Sequence, residues 1–136
     1  MGGRQCEIQV NSCQVLGDDT EETLDMYKGN YLDRGDKKYL SYRRETEDGQ
    51  VECLLSYEAG RITMSQQGGV RSKMEFVPGK KTISQYLTPL GNMDIPIYTR
   101  GLSVEEKDET LNIMIDYDIA TDDAIKTRID INVTLK

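Results

Sequence analysis

The chain has 136 residues, a formal charge of −7 and no histidine. This length suits one domain with a single core over residues 1–136. The acidic balance argues against nucleic acid or an anionic membrane as a partner, because both attract basic protein surface. The sequence shows no apolar stretch near the roughly 20 residues of a membrane span and no export signal, so we expect a cytoplasmic protein whose three cysteines are free thiols.

The whole chain is predicted to form strands, with no helix longer than one turn. Apolar and polar residues alternate with the period of two that a strand shows when one face is buried and the other is wetted. In chain order, the ten predicted strands cover residues 6–16, 22–32, 37–47, 51–58, 61–66, 71–77, 82–88, 93–100, 109–120 and 125–135.

The first testable hairpins lie in the N-terminal half. A loop at residues 34–36 places Asp33 opposite Lys37. Asp48-Gly49 is a strong two-residue turn, because Asp and Gly tolerate the positive φ of a type I′ turn. This turn predicts that Leu40, Tyr42 and Arg44 face Tyr57, Leu55 and Cys53, respectively.

Three further turns set the next registers. Ala59-Gly60 places apolar residues opposite each other, pairing Leu55 with Met64 and Tyr57 with Ile62. Around Gly68-Gly69 a three-residue loop keeps like faces together, whereas a two-residue loop would mix them. It pairs Met64 with Met74 and Ile62 with Phe76. Pro78-Gly79 then closes a hairpin that leaves Met74 and Ile83 on one face.

The C-terminal hairpin has the most restrictive register. A three-residue loop at 121–123 places Ile115 opposite Ile129, while Asp116 meets Arg128 and Asp118 meets Lys126 on the other face. Cross-strand pairs of like polarity and opposite charge favour this register over its neighbours.

Every testable connection is a local antiparallel hairpin, so the chain is predicted to be a meander. Ten strands in a meander remove their exposed edges by closing into an up-and-down barrel. A two-sheet sandwich is the alternative, although the long crossovers of Greek-key folds are missing.

Several segments together resemble the YwiB-like family of small uncharacterised bacterial proteins. They are residues 38–45 (KYLSYRRE), 74–79 (MEFVPG), 86–91 (YLTPLG), 97–99 (IYT) and 115–117 (IDY). The similarity runs from about Glu7 to Leu135. It implies a calycin-like barrel related to lipocalins and fatty-acid-binding proteins. It implies no established activity and no catalytic residues.

The residues offer little catalytic chemistry. Without histidine the chain lacks the usual general base, the Ser-His and Cys-His nucleophile pairings and most zinc sites. The stretch 116–121 begins like a calcium loop, but it fails at the third ligand and lacks the turn glycine. We therefore expect no enzyme, no metal and no cofactor. A homo-oligomer is possible but not indicated.

The most informative polar side chains share the predicted core face. A cation in an apolar interior needs a partner, water or an opening to solvent. Arg44 lies near a barrel mouth, pairs with a local carboxylate, or meets an acidic group on a ligand. The predicted ligand-binding residues are Arg44, Tyr42, Tyr57, Tyr117, Lys28 and Gln85. The sequence thus predicts a non-catalytic barrel that binds a small apolar or carboxylate-bearing molecule in its lumen. A plugged barrel acting as a structural or protein-interaction module is the alternative.

Overall fold

The structure of the protein is a computed structural model, and it describes residues 3–47, 49–68, 71–119 and 125–136. All regular structure in these residues is β-strand. The strands are β1 (Arg4–Leu16), β2 (Asp19–Asp33), β3 (Lys38–Thr46), β4 (Gly49–Glu58), β5 (Arg61–Gln67), β6 (Arg71–Phe76), β7 (Lys81–Thr88), β8 (Gly91–Glu106), β9 (Thr110–Ile119) and β10 (Ile125–Leu135).

Each strand pairs antiparallel with its neighbours in the chain, and β1 pairs with β10 to close a ten-stranded barrel. The predicted all-β meander and its closure are therefore confirmed. The strand β8 is longer than predicted and has a register shift between Thr99 and Gly101. The shift bends the strand, as β-bulges do.

Alternation along the strands sends one set of side chains into a packed interior. Ile8, Leu40, Ile62 and Phe76 are at most 1% exposed. Burying such side chains stabilises each by roughly 1.5–3 kcal/mol relative to exposure. The remaining buried apolar residues are Cys6, Tyr42, Val51, Cys53, Leu55, Ile97, Leu111, Ile113, Ile115, Tyr117, Ile131 and Val133.

Three of the predicted registers are confirmed. Between β4 and β5, Glu58 lies opposite Arg61 and their side chains form an ion pair at 2.7 Å. Between β9 and β10, Asp116 lies opposite Arg128 as predicted. The apolar pairs of these hairpins and of β5–β6 also match: Leu55–Met64, Tyr57–Ile62, Met64–Met74, Ile62–Phe76 and Ile115–Ile129.

Three other registers were wrong. Asp33 lies opposite Lys38, and Lys73 lies opposite Gln85, so β2–β3 and β6–β7 are each shifted by one residue. A one-residue shift moves every side chain of a strand to the opposite face. In β3–β4, Tyr42 faces Cys53, a shift of two residues that leaves the faces unchanged. The predicted loop 121–123 and parts of the predicted turns, Asp48 and Gly69, lie outside the described residues.

The connections of a meander alternate between the two ends of a barrel. One end carries the connections at 17–18 and 89–90, and we call it the Arg44 end. The other carries the connections at 34–37, 59–60, 77–80 and 107–109, and we call it the Glu106 end.

One junction in the barrel wall is incomplete. The strands β2 and β3 pair only over Gly29–Asp33 and Lys38–Tyr42, although β2 continues back to Asp19. Gly29 marks the point of separation, and a Cβ there would collide with the backbone carbonyl oxygen of Ser41 on β3 and lie 2.7 Å from Ile8 Cδ1 on β1. Glycine therefore permits the close approach from which the two strands diverge.

Candidate binding site

Arg44 is the cation on the inner face of the barrel at the Arg44 end. It follows Tyr42 on the inward face of β3 and lies opposite Val51 of β4. Its Nη2 donates to Gln66 Oε1 at 3.4 Å, while its Nε is buried without a hydrogen-bond partner among the residues that the structure describes. Within the described ranges Arg44 forms no ion pair with a carboxylate. Its charge is therefore only partly satisfied by the protein.

Two tyrosines form an aromatic wall beside this guanidinium. The rings of Tyr27 and Tyr42 are stacked with centroids 4.7 Å apart, and they bridge the junction where β2 and β3 cease to pair. Burial raises the pKa of both hydroxyls above the ordinary value, and the positive charge of Arg44 opposes this rise. The neutral phenols can therefore act as donors beside a fixed cation.

Hydroxyl groups line the opposite side of this interior. Thr99, Tyr117 and Thr127 lie directly across from one another on β8, β9 and β10. Burial raises the pKa of Tyr117 to about 12, and its ring packs against Phe76 at 5.0 Å. The hydroxyl oxygens of Ser84, Thr99 and Thr127 are buried without a hydrogen-bond partner in the protein. Unpartnered buried donors of this kind are uncommon in folded proteins and call for an explanation.

Two of the predicted site residues were placed on the wrong face. Lys28 and Gln85 are exposed on the outer surface, together with their apolar neighbours Met26 and Ile83. The cause is the one-residue shift in β2–β3 and in β6–β7. Neither residue belongs to the interior site.

Tyr57 faces inward but lies at the Glu106 end, apart from Arg44. Its hydroxyl donates to Glu106, and Lys38 Nζ donates to the same carboxylate oxygen at 2.6 Å. The Tyr31 hydroxyl lies 3.5 Å from the Tyr57 hydroxyl. The hydrogen bond from Lys38, followed by that from Tyr57, lowers the pKa of Glu106. This cluster is internally paired and offers no free donor comparable to Arg44.

Of the predicted set, the structure brings Arg44 and Tyr42 together on β3, whereas Tyr117 faces inward on β9 beside Phe76 and Thr127. Sequence reasoning missed Tyr27, because the shifted register turned it outward. It also missed Gln66, although Gln66 shares the parity of Ile62 and Met64 and could have been found from the correctly predicted β5 register. The buried hydroxyls on β7, β8 and β10 carry no sequence signal beyond the alternation itself.

Several surface depressions lie on the outer wall or around the Glu106 end. One of about 470 Å³ crosses the outside of β2–β5 and contacts Lys28, Ser41 and Glu52. Another, of about 510 Å³, lies beside Tyr57 and Glu106. In the described part of the chain, no group of three or more His, Cys, Asp or Glu residues is arranged to hold a metal ion. The same residues include no helix with the length and apolar character to cross a bilayer.

The acidic stretch that resembled a calcium loop has another role. Arg100 pairs with both Asp116 and Asp118, at 3.7 Å from the former. Arg128, which lies opposite Asp116, forms its closest ion pair with Asp130 at 3.2 Å. These carboxylates therefore form a charged ladder on the outer surface.

Together these features define an all-β protein, a closed ten-stranded antiparallel barrel with a cation on the inner face near one end and buried hydroxyls elsewhere on the inner wall. The chain belongs to the family described as "Domain of unknown function (DUF1934)", whose model matches residues 8–133. The "Uncharacterized beta-barrel protein YwiB" of Bacillus subtilis is 25% identical over 122 residues, covering 88% of this chain and 86% of the relative.

The fold comparison agrees with the sequence comparison. The crystal structure of the ywiB protein from Bacillus subtilis superposes with a TM-score of 0.90 at 22% identity. The match covers 98% of this chain and 92% of the other. The resemblance predicted from segments such as 38–45 and 74–79 is therefore confirmed. The implied relation to lipocalins stays a prediction.

Proposed function

We propose that this protein binds a small acidic molecule with an apolar or aromatic body, inside the Arg44 end of its barrel, and that it is not an enzyme. The single observation that carries the proposal is the buried Arg44 Nε, which has no hydrogen-bond partner in the described part of the chain. A guanidinium is always charged and presents a planar set of donors that matches a carboxylate.

The surroundings of Arg44 support an acid with an apolar body. Tyr27 and Tyr42 supply stacked rings on one side. Ser84 and Thr127, elsewhere on the inner wall, carry buried hydroxyls without a hydrogen-bond partner among the described residues. A ligand carboxylate would satisfy the guanidinium, and its body would contact the rings, which is the usual combination of a few polar groups and an apolar lining in small-molecule sites.

The charged side chains near the Arg44 end indicate which contacts would supply the affinity for an acid. The inward-facing positions of β2 near this end include Asp19, Glu21 and Asp25, which repel an anion at long range. Long-range electrostatic attraction therefore does not favour the binding of an acid. The affinity must arise from short contacts with Arg44, and it should depend only weakly on salt, because buried pairs are screened much less than exposed ones.

A plugged barrel that serves as an interaction module is the second candidate. It is supported by the packed middle of the barrel, where Ile62, Phe76, Ile97 and Ile115 are fully buried. Such packing limits a ligand to the space near one end.

The test is a thermal-shift and calorimetric titration with octanoate and phenylacetate, alongside octanamide and phenylacetamide. We expect the acids to raise the melting temperature by mass action and the neutral amides to bind much more weakly. Arg44→Met removes the charge but keeps most of the apolar stem. A hydrogen bond to a charged group is worth about 1.5–3 kcal/mol, so affinity should fall roughly ten- to hundredfold.

Arg43→Met is the matched control. Arg43 is the next residue on β3, its side chain is 67% exposed, and it pairs with Glu52 at 3.5 Å on the outer face. This variant should bind the acids as the parent does. If neither acid produces a shift, or if Arg44→Met binds as tightly as Arg43→Met, the binding proposal is wrong and the interaction module replaces it.

A further inference from the structure

The outer half of β2 is an unpaired sheet edge. The strand pairs with β1 from Asp19 to Tyr31, but its other side meets β3 only from Gly29 onward. On that side the backbone of residues 19–28 has no strand partner in the described parts of the chain. A row of free N–H and C=O groups is a template for adding another strand.

One face of this edge is acidic, whereas the other carries two exposed apolar side chains together with Glu22 and Lys28. Asp19, Glu21 and Asp25 share one face, and all three are exposed. Leu24 and Met26 lie on the other face and are 59% and 68% exposed, respectively. The segment carries four acidic residues and one basic residue, a net charge of −3.

We propose that this edge binds an extended polypeptide in which basic residues alternate with apolar residues. The backbone would add a strand to β2 in the gap beside β3. Its basic side chains would lie across from Asp19, Glu21 and Asp25, and its apolar side chains would cover Leu24 and Met26. Opposite charges and apolar pairs across adjacent strands are the contacts that stabilise such an addition.

The same charges argue against a second copy of this chain as the occupant. Edge-to-edge pairing of two β2 strands would bring two segments of net charge −3 together, and like charges on facing strands are destabilising. A basic peptide removes that repulsion. The inference rests on the backbone edge of β2 and on Asp19, Glu21 and Asp25, the inward-facing carboxylates near the Arg44 end, and it does not use Arg44 itself.

The experiment uses the full chain and a blocked peptide that alternates lysine and valine over about the length of this edge. A second peptide has the same composition with the lysines and valines in separate blocks, and a third has alternate peptide bonds N-methylated. Affinity is measured by fluorescence anisotropy at physiological salt. Hydrogen exchange then shows which backbone amides the peptide protects.

We expect the alternating peptide to bind at least tenfold more tightly than both control peptides and to protect amides within residues 19–28. Replacing Glu21 and Asp25 together by lysine should weaken binding about tenfold. Glu105→Lys with Glu109→Lys changes the net charge equally and should leave the affinity unchanged. Far-ultraviolet circular dichroism checks that each variant is folded.

Three outcomes would overturn the inference. Equal binding of the block peptide would show non-specific attraction to an acidic protein. Protection confined to other strands would place the peptide elsewhere. A concentration-dependent dimer that protects residues 19–28 without peptide would assign the edge to a second copy.

Discussion

The two ends of the barrel satisfy their inward polar groups in different ways. At the Glu106 end, Lys38 and Tyr57 both donate to one carboxylate, and Tyr31 lies beside them. At the Arg44 end, the guanidinium donates to the amide oxygen of Gln66 at 3.4 Å and forms no ion pair within the described residues. The described residues thus pair the charges at one end and leave a cation without a counter-charge at the other.

This difference separates a structural role from a binding role. A paired cluster stabilises the fold, because each buried donor has an acceptor. An unpaired donor lowers stability, and its presence in an otherwise packed interior is the usual cost of a binding site. We therefore expect mutations at the two ends to differ in sign, and the following predictions test that difference.

The largest effect on stability is expected at the Glu106 end. Tyr57→Phe removes the hydroxyl that donates to Glu106. Because hydrogen bonds to charged groups contribute about 1.5–3 kcal/mol, the free energy of unfolding should fall by about that amount. Denaturant unfolding measures it. Tyr39→Phe, on the outward face of the same region, is the control and should change little. If the two variants are equally stable, the Glu106 end is not held by its hydrogen bonds.

A smaller effect of opposite sign is expected at the Arg44 end. Thr127→Val replaces a buried hydroxyl that has no partner in the protein with a methyl group. Because the lost group is unsatisfied, the free energy of unfolding should rise by about 1 kcal/mol. Thr82→Val is the comparison, since its hydroxyl donates to Glu75 O at 2.5 Å. That variant should be destabilised by about 1 kcal/mol. Two changes of the same sign would contradict the contrast.

The smallest predicted effect is a pH dependence at the Glu106 end. Lys38 and Tyr57 lower the pKa of Glu106 below its ordinary value of 4.5. A carboxyl group with a lowered pKa in the folded state stabilises the protein above its unfolded pKa, and this contribution is lost as pH falls through the folded value. Glu106→Gln should therefore lower the melting temperature at pH 7. The corresponding fall in the free energy of unfolding should be about 1 kcal/mol or less.

The difference between parent and Glu106→Gln should begin to shrink as the pH falls below about 4.5 and should disappear below the lowered folded-state pKa of Glu106. Glu105→Gln, a change at the adjacent residue on the opposite face, should follow the parent at every pH. A difference that persists unchanged to pH 3 would show that the effect of Glu106 does not come from its charge.

Uncertainty in the length of the turns limited how much of the fold and the site could be predicted. The sequence predicts the strands, the meander and the closure, since alternation and hairpin pairing are local. The register across β2–β3 depends on whether the connection has three or four residues, and Asp33 meets Lys38, not Lys37. Because of this one-residue difference in the connection, the prediction placed the Lys28 side chain inside the barrel and the Tyr27 side chain outside it.

The interior site was only partly predictable for a second reason. Arg44 and Tyr42 were placed on the correct face, because the error in β3–β4 was two residues and kept the faces. Whether an inward cation is paired depends on strands distant in sequence. Both Lys38 and Arg44 face inward on β3, yet only Lys38 meets a carboxylate, through the extension of β8 to Glu106. The sequence of β3 alone therefore does not show which of these two cations pairs with a carboxylate.

The most direct test of the acid-binding site follows the side-chain Nε–H signals of Arg44 and Arg43 by NMR during a titration with phenylacetate. We expect the Arg44 Nε–H signal to move downfield and the proton to exchange more slowly with water, because a buried donor gains a charged acceptor. The Arg43 signal should stay unchanged on the outer surface. An Arg44 signal that does not move at saturating phenylacetate, or one that moves no more than that of Arg43, would contradict acid binding at Arg44.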